Sequence, residues 1–86
     1  MAVTYNVLFA VYGAQPNENT NQAKNVTATL QSLLPSGSNG VVVINNTNMG
    51  GDPSPGNVKS FGALVSVSGG AAQAFACGEN QTIDFS

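Results

Sequence analysis

Hydrophobic residues alternate with other residues in several short segments, which is the pattern of β-strands that are buried on one side. The first segment, Val3 to Tyr12, consists almost wholly of residues that favour strands. Strict alternation predicts one buried apolar face, which comprises Val3, Tyr5, Val7, Phe9 and Val11. We expect Gly13 to end this strand, and Ala14 to Asn19, which contains Pro16, to form a loop.

A helical spacing follows this loop. The apolar residues recur at intervals of three, four, three and one, at Ala23, Val26, Leu30, Leu33 and Leu34. This spacing predicts a short helix, which Asn19 or Thr20 would cap and Pro35 would end. The β-branched residues within it disfavour a long, regular helix.

The second half of the chain predicts further strands. Val41 to Ile44 is continuously apolar, which is typical of a central strand. Val58 to Val67 alternates, and short turns connect it to Ala71 to Cys77 and then to Gln81 to Phe85. Connections of hairpin length predict an antiparallel meander of these last three strands.

Taken together, these elements predict a mainly β protein with a single domain over residues 1–86. We expect a small antiparallel β-sandwich or rolled sheet of about five strands with one short helix. Such a sheet has exposed edges, and lysines that would discourage edge pairing are almost absent from the sequence. We therefore expect a homo-oligomer.

The composition excludes several classes of function. Only 7% of the residues are charged, and the chain contains two lysines, no arginine and no histidine. Two lysines cannot neutralise a run of phosphates, so the sequence predicts no nucleic-acid partner. The absence of histidine removes the most common general base and metal ligand. We therefore expect no enzymatic activity, no cofactor and no metal site.

The compartment is predicted from one cysteine and from the apolar runs. Cys77 cannot form an internal disulfide, which is typical of a protein in a reducing compartment. We interpret Cys77 itself as a small buried hydrophobic residue. The N-terminus shows no signal-peptide pattern, and no apolar stretch is long enough to span a bilayer. These features predict a cytoplasmic protein that does not insert into membranes. Any release of the protein from the cell would occur without a signal peptide.

Asparagine is the most distinctive component of the polar surface. Asn, Gln, Ser and Thr account for 30 of the 86 residues, and four asparagines lie in the segment Asn45 to Asn57. This segment has no periodicity, and long loops in small domains are often functional. Side-chain amides donate and accept hydrogen bonds, as sugar hydroxyls do. The loop candidates for sugar contacts are Asn46, Asn48, Asp52 and Asn57.

Three further residues complete the predicted site. Tyr12, at the end of the first strand, is the best candidate for an aromatic platform, and Glu79 and Asn80 lie in the turn before the last predicted strand. A purely structural interpretation stays open. Asp52 would then hold an Asx turn between two prolines, and Tyr12 would hydrogen-bond a loop.

One block of this loop resembles a known family. It is the segment Gly51-Asp52-Pro53-Ser54-Pro55-Gly56, with Val58-Lys59 after it and with Val11-Tyr12-Gly13 and Val26-Thr27 upstream. The pattern resembles the small C-terminal β domain of certain DnaJ-related proteins and its stand-alone relatives in fungi and bacteria. The final hairpin departs from that family at Ala71, Ala74 and Ala76, where relatives often have bulkier residues. Some stand-alone members look like small mushroom lectins, so the resemblance implies a fungal galactoside-binding role.

The sequence therefore predicts a non-enzymatic, lectin-like protein that binds a carbohydrate ligand and forms a homo-oligomer, which would raise the avidity of weak sites. The alternative is a structural or protein-protein interaction module without sugar binding. In that case an exposed sheet edge would recruit a strand from a partner.

Overall fold

A computed structural model of the chain describes residues 2–17 and 20–86. Within them it contains six strands and one helix: β1 (Tyr5–Asn17), β2 (Thr20–Asn25), α1 (Thr27–Leu33), β3 (Val41–Val43), β4 (Ser60–Val67), β5 (Gln73–Gly78) and β6 (Thr82–Asp84). The strands form a four-stranded antiparallel sheet in the order β2-β1-β4-β5 and a two-stranded sheet of β3 and β6. The predicted mainly β fold with one short helix is confirmed.

The core lies on one side of the four-stranded sheet. Buried residues of β1 and β4 meet buried residues of α1, of the loop after β3 and of the two-stranded sheet. The largest fully buried side chains are Tyr12, Phe85, Leu30, Leu34, Ile44 and Met49. One face of the large sheet is thus covered, whereas the opposite face remains open.

A β-bulge in β1 changes which residues enter this core. Val7 pairs with Val65 but Phe9 pairs with Leu64, so Leu8 is an extra residue in β1. After the bulge the inward positions are Ala10 and Tyr12, both fully buried. The prediction that Phe9 lies in the core was therefore wrong, because its side chain is 44% exposed on the open face.

Side chains of α1 satisfy the backbone of β1 beside this bulge. The N–H of Val7 donates to Oε1 of Gln31 over 2.8 Å, and the N–H of Ala10 donates to Oγ1 of Thr27 over 2.9 Å. The Gln31 amide donates in turn to the carbonyl of Tyr5. Since β2 pairs only with the second half of β1, the side chains of α1 satisfy backbone groups in the first half that have no strand partner on that side.

The first strand continues beyond Gly13, contrary to expectation, and Thr20–Asn25 is a strand rather than the start of the helix. Gly13 allows the close approach of β2, since a Cβ there would lie 2.2 Å from the Cα of Ala23. The predicted cap at Thr20 was wrong, and Asn19 lies outside the described residues. The helix instead follows Asn25, whose Oδ1 accepts the N–H of Thr27.

Two predictions about the last strands were also wrong. Val41–Val43 is not a central strand, because it pairs only with β6 and leaves Val41 and Val43 more than 40% exposed. The β4–β5 hairpin forms as predicted, but β6 leaves the meander to pair with β3. Asn80 explains this departure, because it has a positive φ of 70° and its N–H donates to the carbonyl of Ile44.

In the part of the chain that the structure describes, no helix is both long and apolar enough to span a bilayer.

Candidate functional site

A buried lysine organises the end of the molecule where β4 begins. Lys59 is 2% exposed, and its ammonium group contacts four oxygen atoms. It donates to the backbone carbonyls of Asn57 at 2.6 Å and Ser54 at 3.1 Å. It also lies 2.9 Å from Oδ1 of Asp52 and 3.3 Å from Oε1 of Glu79. An ammonium group has three protons, so these acceptors satisfy it fully.

The segment before Lys59 is shaped by turn chemistry. The N–H of Ser54 donates to Oδ1 of Asp52 over 2.9 Å, which is the predicted Asx turn. Gly56 has a φ of 82°, a conformation that L side chains rarely adopt. This turn directs the carbonyls of Ser54 and Asn57 towards the lysine.

Glu79 reaches the same lysine from the turn between β5 and β6. Its N–H donates to the carbonyl of Lys59, and its Oε1 accepts the N–H of Lys59 at 2.9 Å. The same Oε1 therefore contacts both the backbone and the side chain of Lys59, which fixes the carboxylate in position.

The charges of this cluster reinforce one another. The hydrogen bond from Lys59, with help from the N–H of Ser54, holds the pKa of Asp52 below its ordinary value. The hydrogen bond to Asp52, followed by that to Glu79, raises the pKa of Lys59. Both groups therefore remain ionised at neutral pH.

Two buried side chains hold the surrounding loop against the large sheet. The Tyr12 hydroxyl donates to Oδ1 of Asn46 at 2.6 Å, and the Ser54 hydroxyl donates to Oε1 of Gln22 at 2.6 Å. Oγ of Ser54 also accepts the side-chain amide of Asn57 at 3.0 Å. Burial and the nearby Glu79 carboxylate raise the pKa of Tyr12, so its hydroxyl keeps its proton.

An open pocket of about 410 Å³ lies over this cluster. Three separate segments line it: the loop after β3, the turn before β4, and the turn between β5 and β6. The lining residues are Asn46, Asp52, Gly56, Asn57, Val58, Lys59, Glu79 and Asn80. Five of the seven predicted sugar contacts are among them, although they span more than thirty positions of the sequence.

Two predicted contacts lie elsewhere. The prediction of Tyr12 as a stacking platform was wrong, because this residue is fully buried and its hydroxyl donates to Asn46. Asn48 does not line the pocket, because its side-chain amide donates to the carbonyl of Val43 at 2.7 Å and its N–H donates to Asn45. Both residues support the loop rather than the pocket.

Three pocket residues, Gly56, Val58 and Lys59, were not among the predicted contacts. Lys59 had a signal in the sequence, because it directly follows the turn and alternates with apolar residues on the buried side of β4. Val58 is 79% exposed at the pocket. An exposed valine next to a loop gives no sequence signal, because alternation predicts only that it faces away from Lys59.

The polar atoms at the pocket are chemically mixed. Lys59 contacts one oxygen of Asp52 and one of Glu79, and each carboxylate has a second oxygen. Within the described residues, Nδ2 of Asn46 and the side-chain amide of Asn80 have no hydrogen-bond partner. The pocket thus combines amide donors with carboxylate and amide acceptors.

Metal binding and thiol chemistry have little support at this site. In residues 2–17 and 20–86 no three His, Cys, Asp or Glu side chains cluster as a metal site would require. Asp84 is not a lining residue of the pocket, and it accepts hydrogen bonds from the N–H and the hydroxyl of Ser86. Cys77 is half-buried on β5 and packs against the core, and burial raises the pKa of its thiol.

Comparisons of the chain with protein-family models, with curated proteins and with solved structures find no match.

Proposed function

We propose that this protein is a non-enzymatic carbohydrate-binding protein whose pocket over Lys59 takes a neutral saccharide, such as a galactoside. The observation that carries the proposal is the convergence of Asn46, Asn57 and Asn80 with two carboxylates around one pocket. No matching relative supports the resemblance to the DnaJ-related domain and its lectin-like members. The proposal therefore rests on the chemistry and geometry of the pocket.

The hydrogen-bonding groups suit a saccharide. Each sugar hydroxyl donates and accepts, and a site with both amides and carboxylates can satisfy both directions. The pocket volume also lies within the range of about 300–1,000 Å³ that is usual for small-molecule sites. Because Lys59 fixes Asp52 and Glu79 before any ligand arrives, binding does not require these carboxylates to become ordered.

The apolar contact in this site comes from an aliphatic side chain. Sugar C–H groups need an apolar surface, and Tyr12 cannot supply it because it is buried. Val58 lines the pocket with most of its side chain exposed. A valine offers less contact area than an aromatic ring, so each site is expected to bind weakly.

The charge of the pocket favours neutral ligands. Two carboxylates and one ammonium line it, and the ammonium is already engaged by four oxygens. An anionic sugar would meet carboxylate oxygens without a free cation to pair with. Because the ligand carries no charge, binding should change little with salt concentration.

A glycan array with purified protein tests this proposal, provided that neutral glycans are paired with their sialylated or sulfated forms. We expect binding to neutral glycans only. Asn80→Ala should weaken it by about 1–2 kcal/mol, whereas Asn6→Ala, on β1 outside the pocket, should not. Absence of binding to every glycan would contradict the proposal, and equal binding of anionic forms would contradict its charge selectivity.

The second candidate is a protein-protein interaction module. The observation that favours it is the open face of the large sheet, where Leu8, Phe9 and Leu64 are each at least 43% exposed. In this case the pocket would be scaffolding that only stabilises the loop. For either function we propose a cytoplasmic location, because the single cysteine cannot form an internal disulfide.

A further inference from the structure

The uncovered side of the four-stranded sheet is apolar at its centre, whereas the polar residues Asn6, Asn25, Ser60 and Ser66 lie towards its margins. We call it the open face, and define it by Phe9, Val11, Ala23, Gly62, Leu64, Ala74 and Ala76. Phe9 and Leu64 are direct cross-strand partners, and they remain 44% and 43% exposed. Large apolar patches of this kind on a small domain usually mark an interaction site.

The bulge in β1 creates the most prominent part of this face. Without the extra residue Leu8, alternation from Tyr5 and Val7 would carry Phe9 into the core. The bulge instead turns Phe9 outward, beside the exposed Leu64. Bulges often redirect a side chain towards a functional surface. An aromatic ring exposed in this way gains stability when another apolar surface covers it.

A groove lies on the same face, towards the other end of the sheet. It has a volume of about 370 Å³ and a mainly apolar lining that includes Val11, Gly13, Ala23 and Gly62, with the polar residues Gln15, Asn21 and Ser60 at its margin. The glycines leave this part of the face low, whereas Phe9 and Leu64 form a ridge. Gly62 lies two positions from Leu64, and Gly13 lies four positions from Phe9. The groove therefore extends from about 7 Å to about 13 Å away from the ridge.

The open face carries no charged side chain within residues 2–17 and 20–86. Lys24 donates to the carbonyl of Gly50 on the covered side, and Asp84 lies on β6. The remaining described charges, Asp52, Lys59 and Glu79, surround the pocket. Two copies of the face can therefore meet without repulsion between like charges.

We infer that the open face is a homodimer interface, in which the Phe9–Leu64 ridge of each subunit fills the Gly13–Gly62 groove of its partner. A twofold axis brings the same patch of both subunits together, so it requires a surface that complements itself. A ridge and a groove of similar polarity on one face meet this requirement. The product is a sandwich of two four-stranded sheets, a common way in which sheets pack.

The size of the face sets the expected strength of the dimer. Four strands about 4.8 Å apart, over about six residues of each strand, give a footprint of roughly 400 Å². Specific interfaces usually bury about 800 Å² per partner, so this contact is at the low end. We therefore expect a reversible dimer, which would present two pockets and raise avidity for a multivalent ligand.

Sedimentation equilibrium over about 10 μM to about 1 mM protein tests this inference. We expect the mass to rise with concentration from 8.7 kDa towards twice that value. Leu64→Lys should raise the dissociation constant by at least about tenfold, because two unpaired charges would enter the interface. Val43→Lys is the matched control, since Val43 is 41% exposed on the other sheet and should leave the dissociation constant unchanged.

Circular dichroism and thermal unfolding establish that each variant is folded, and Phe9→Ser provides a second disruption that adds no charge. A mass of 8.7 kDa at every concentration would overturn the inference. The inference would also be overturned if Val43→Lys raised the dissociation constant of the dimer while Leu64→Lys and Phe9→Ser did not. That result would place the interface at β3. The measurement needs no saccharide, so its outcome is separate from that of the glycan array.

Discussion

The hydroxyl of Tyr12 donates a 2.6 Å hydrogen bond to Oδ1 of Asn46, a residue 34 positions later in the chain. This bond connects the middle of β1 to the loop that lines the pocket. It also sets the orientation of the Asn46 amide, so that Nδ2 is the atom left for a ligand. A residue predicted as a sugar platform therefore acts on the pocket through a neighbour.

Replacement of Tyr12 by phenylalanine tests this indirect role. Tyr12→Phe preserves the buried ring but removes the hydrogen bond, so it should lower the free energy of unfolding by about 1 kcal/mol. Saccharide binding should weaken as well, because the Asn46 amide is no longer held. Urea unfolding and a binding titration measure the two effects. A variant as stable as the parent would show that the bond adds nothing to folding.

Lys59 should be far more important for stability than the other lysine. Lys59→Met leaves Asp52 and Glu79 without their shared cation and leaves two backbone carbonyls without a donor. We expect a much lower melting temperature than for Lys24→Met, the matched control, since Lys24 makes one exposed hydrogen bond. Equal melting temperatures of the two variants would argue against the cluster as the organiser of the loop.

The Asp52–Lys59 contact also predicts a specific dependence of stability on pH. Lys59 holds the pKa of folded Asp52 below its ordinary value of 3.8, so folding favours the carboxylate. This contribution is complete above 3.8 and is lost as the pH falls through the lower folded pKa. At the alkaline end, the raised pKa of Lys59 keeps its contribution complete below 10.5, and it is lost as the pH rises through the folded value.

Urea unfolding at a series of acid pH values measures this effect. Asp52→Asn should be less stable than the parent at neutral pH, and its stability should decline less steeply below about pH 4. Asp84→Asn is the comparison: the Asp84 pKa is also lowered, through its hydrogen bonds with Ser86, so this variant should also decline less steeply in acid, but it should leave saccharide binding intact. Parallel acid curves for Asp52→Asn and the parent would contradict the assignment.

Cys77 is expected to be structural. Its thiol packs at the edge of the core, and burial raises its pKa, so little thiolate exists at neutral pH. Cys77→Ser should lower the free energy of unfolding by about 1 kcal/mol and leave saccharide binding intact. Labelling of the native thiol with a maleimide measures its reactivity. A rate equal to that of the urea-unfolded protein would contradict this interpretation.

The fold class could be predicted because alternation survives in β4, where Phe61, Ala63 and Val65 are buried as expected. Two features of the fold could not be predicted from the sequence pattern. The bulge at Leu8 reverses the faces of β1, and no single residue type signals an extra residue in a strand. Strand β2 consists of Thr20–Asn25, whose polar residues and helix-like spacing conceal a strand with one partner.

The pocket residues could be predicted in part because asparagine and turn residues concentrate in one loop. The sequence also placed Glu79 and Asn80 in a turn, but nothing in it indicated that this turn meets the loop. The connection depends on β6 crossing to pair with β3, and on the hydrogen bonds between Ile44 and the Asn80–Gln81 segment. Contacts between distant segments of this kind are set by tertiary packing rather than by local pattern.

The most direct test of saccharide binding at this pocket is a nuclear magnetic resonance titration of the ¹⁵N-labelled protein with lactose as the neutral galactoside. The side-chain amide signals of Asn46, Asn57 and Asn80 should shift together and saturate, whereas the amides of Asn48 and Gln31, which bond to backbone groups elsewhere, should not move. Shifts confined to the open face, or no shifts with lactose or with any neutral glycan tested afterwards, would contradict the account.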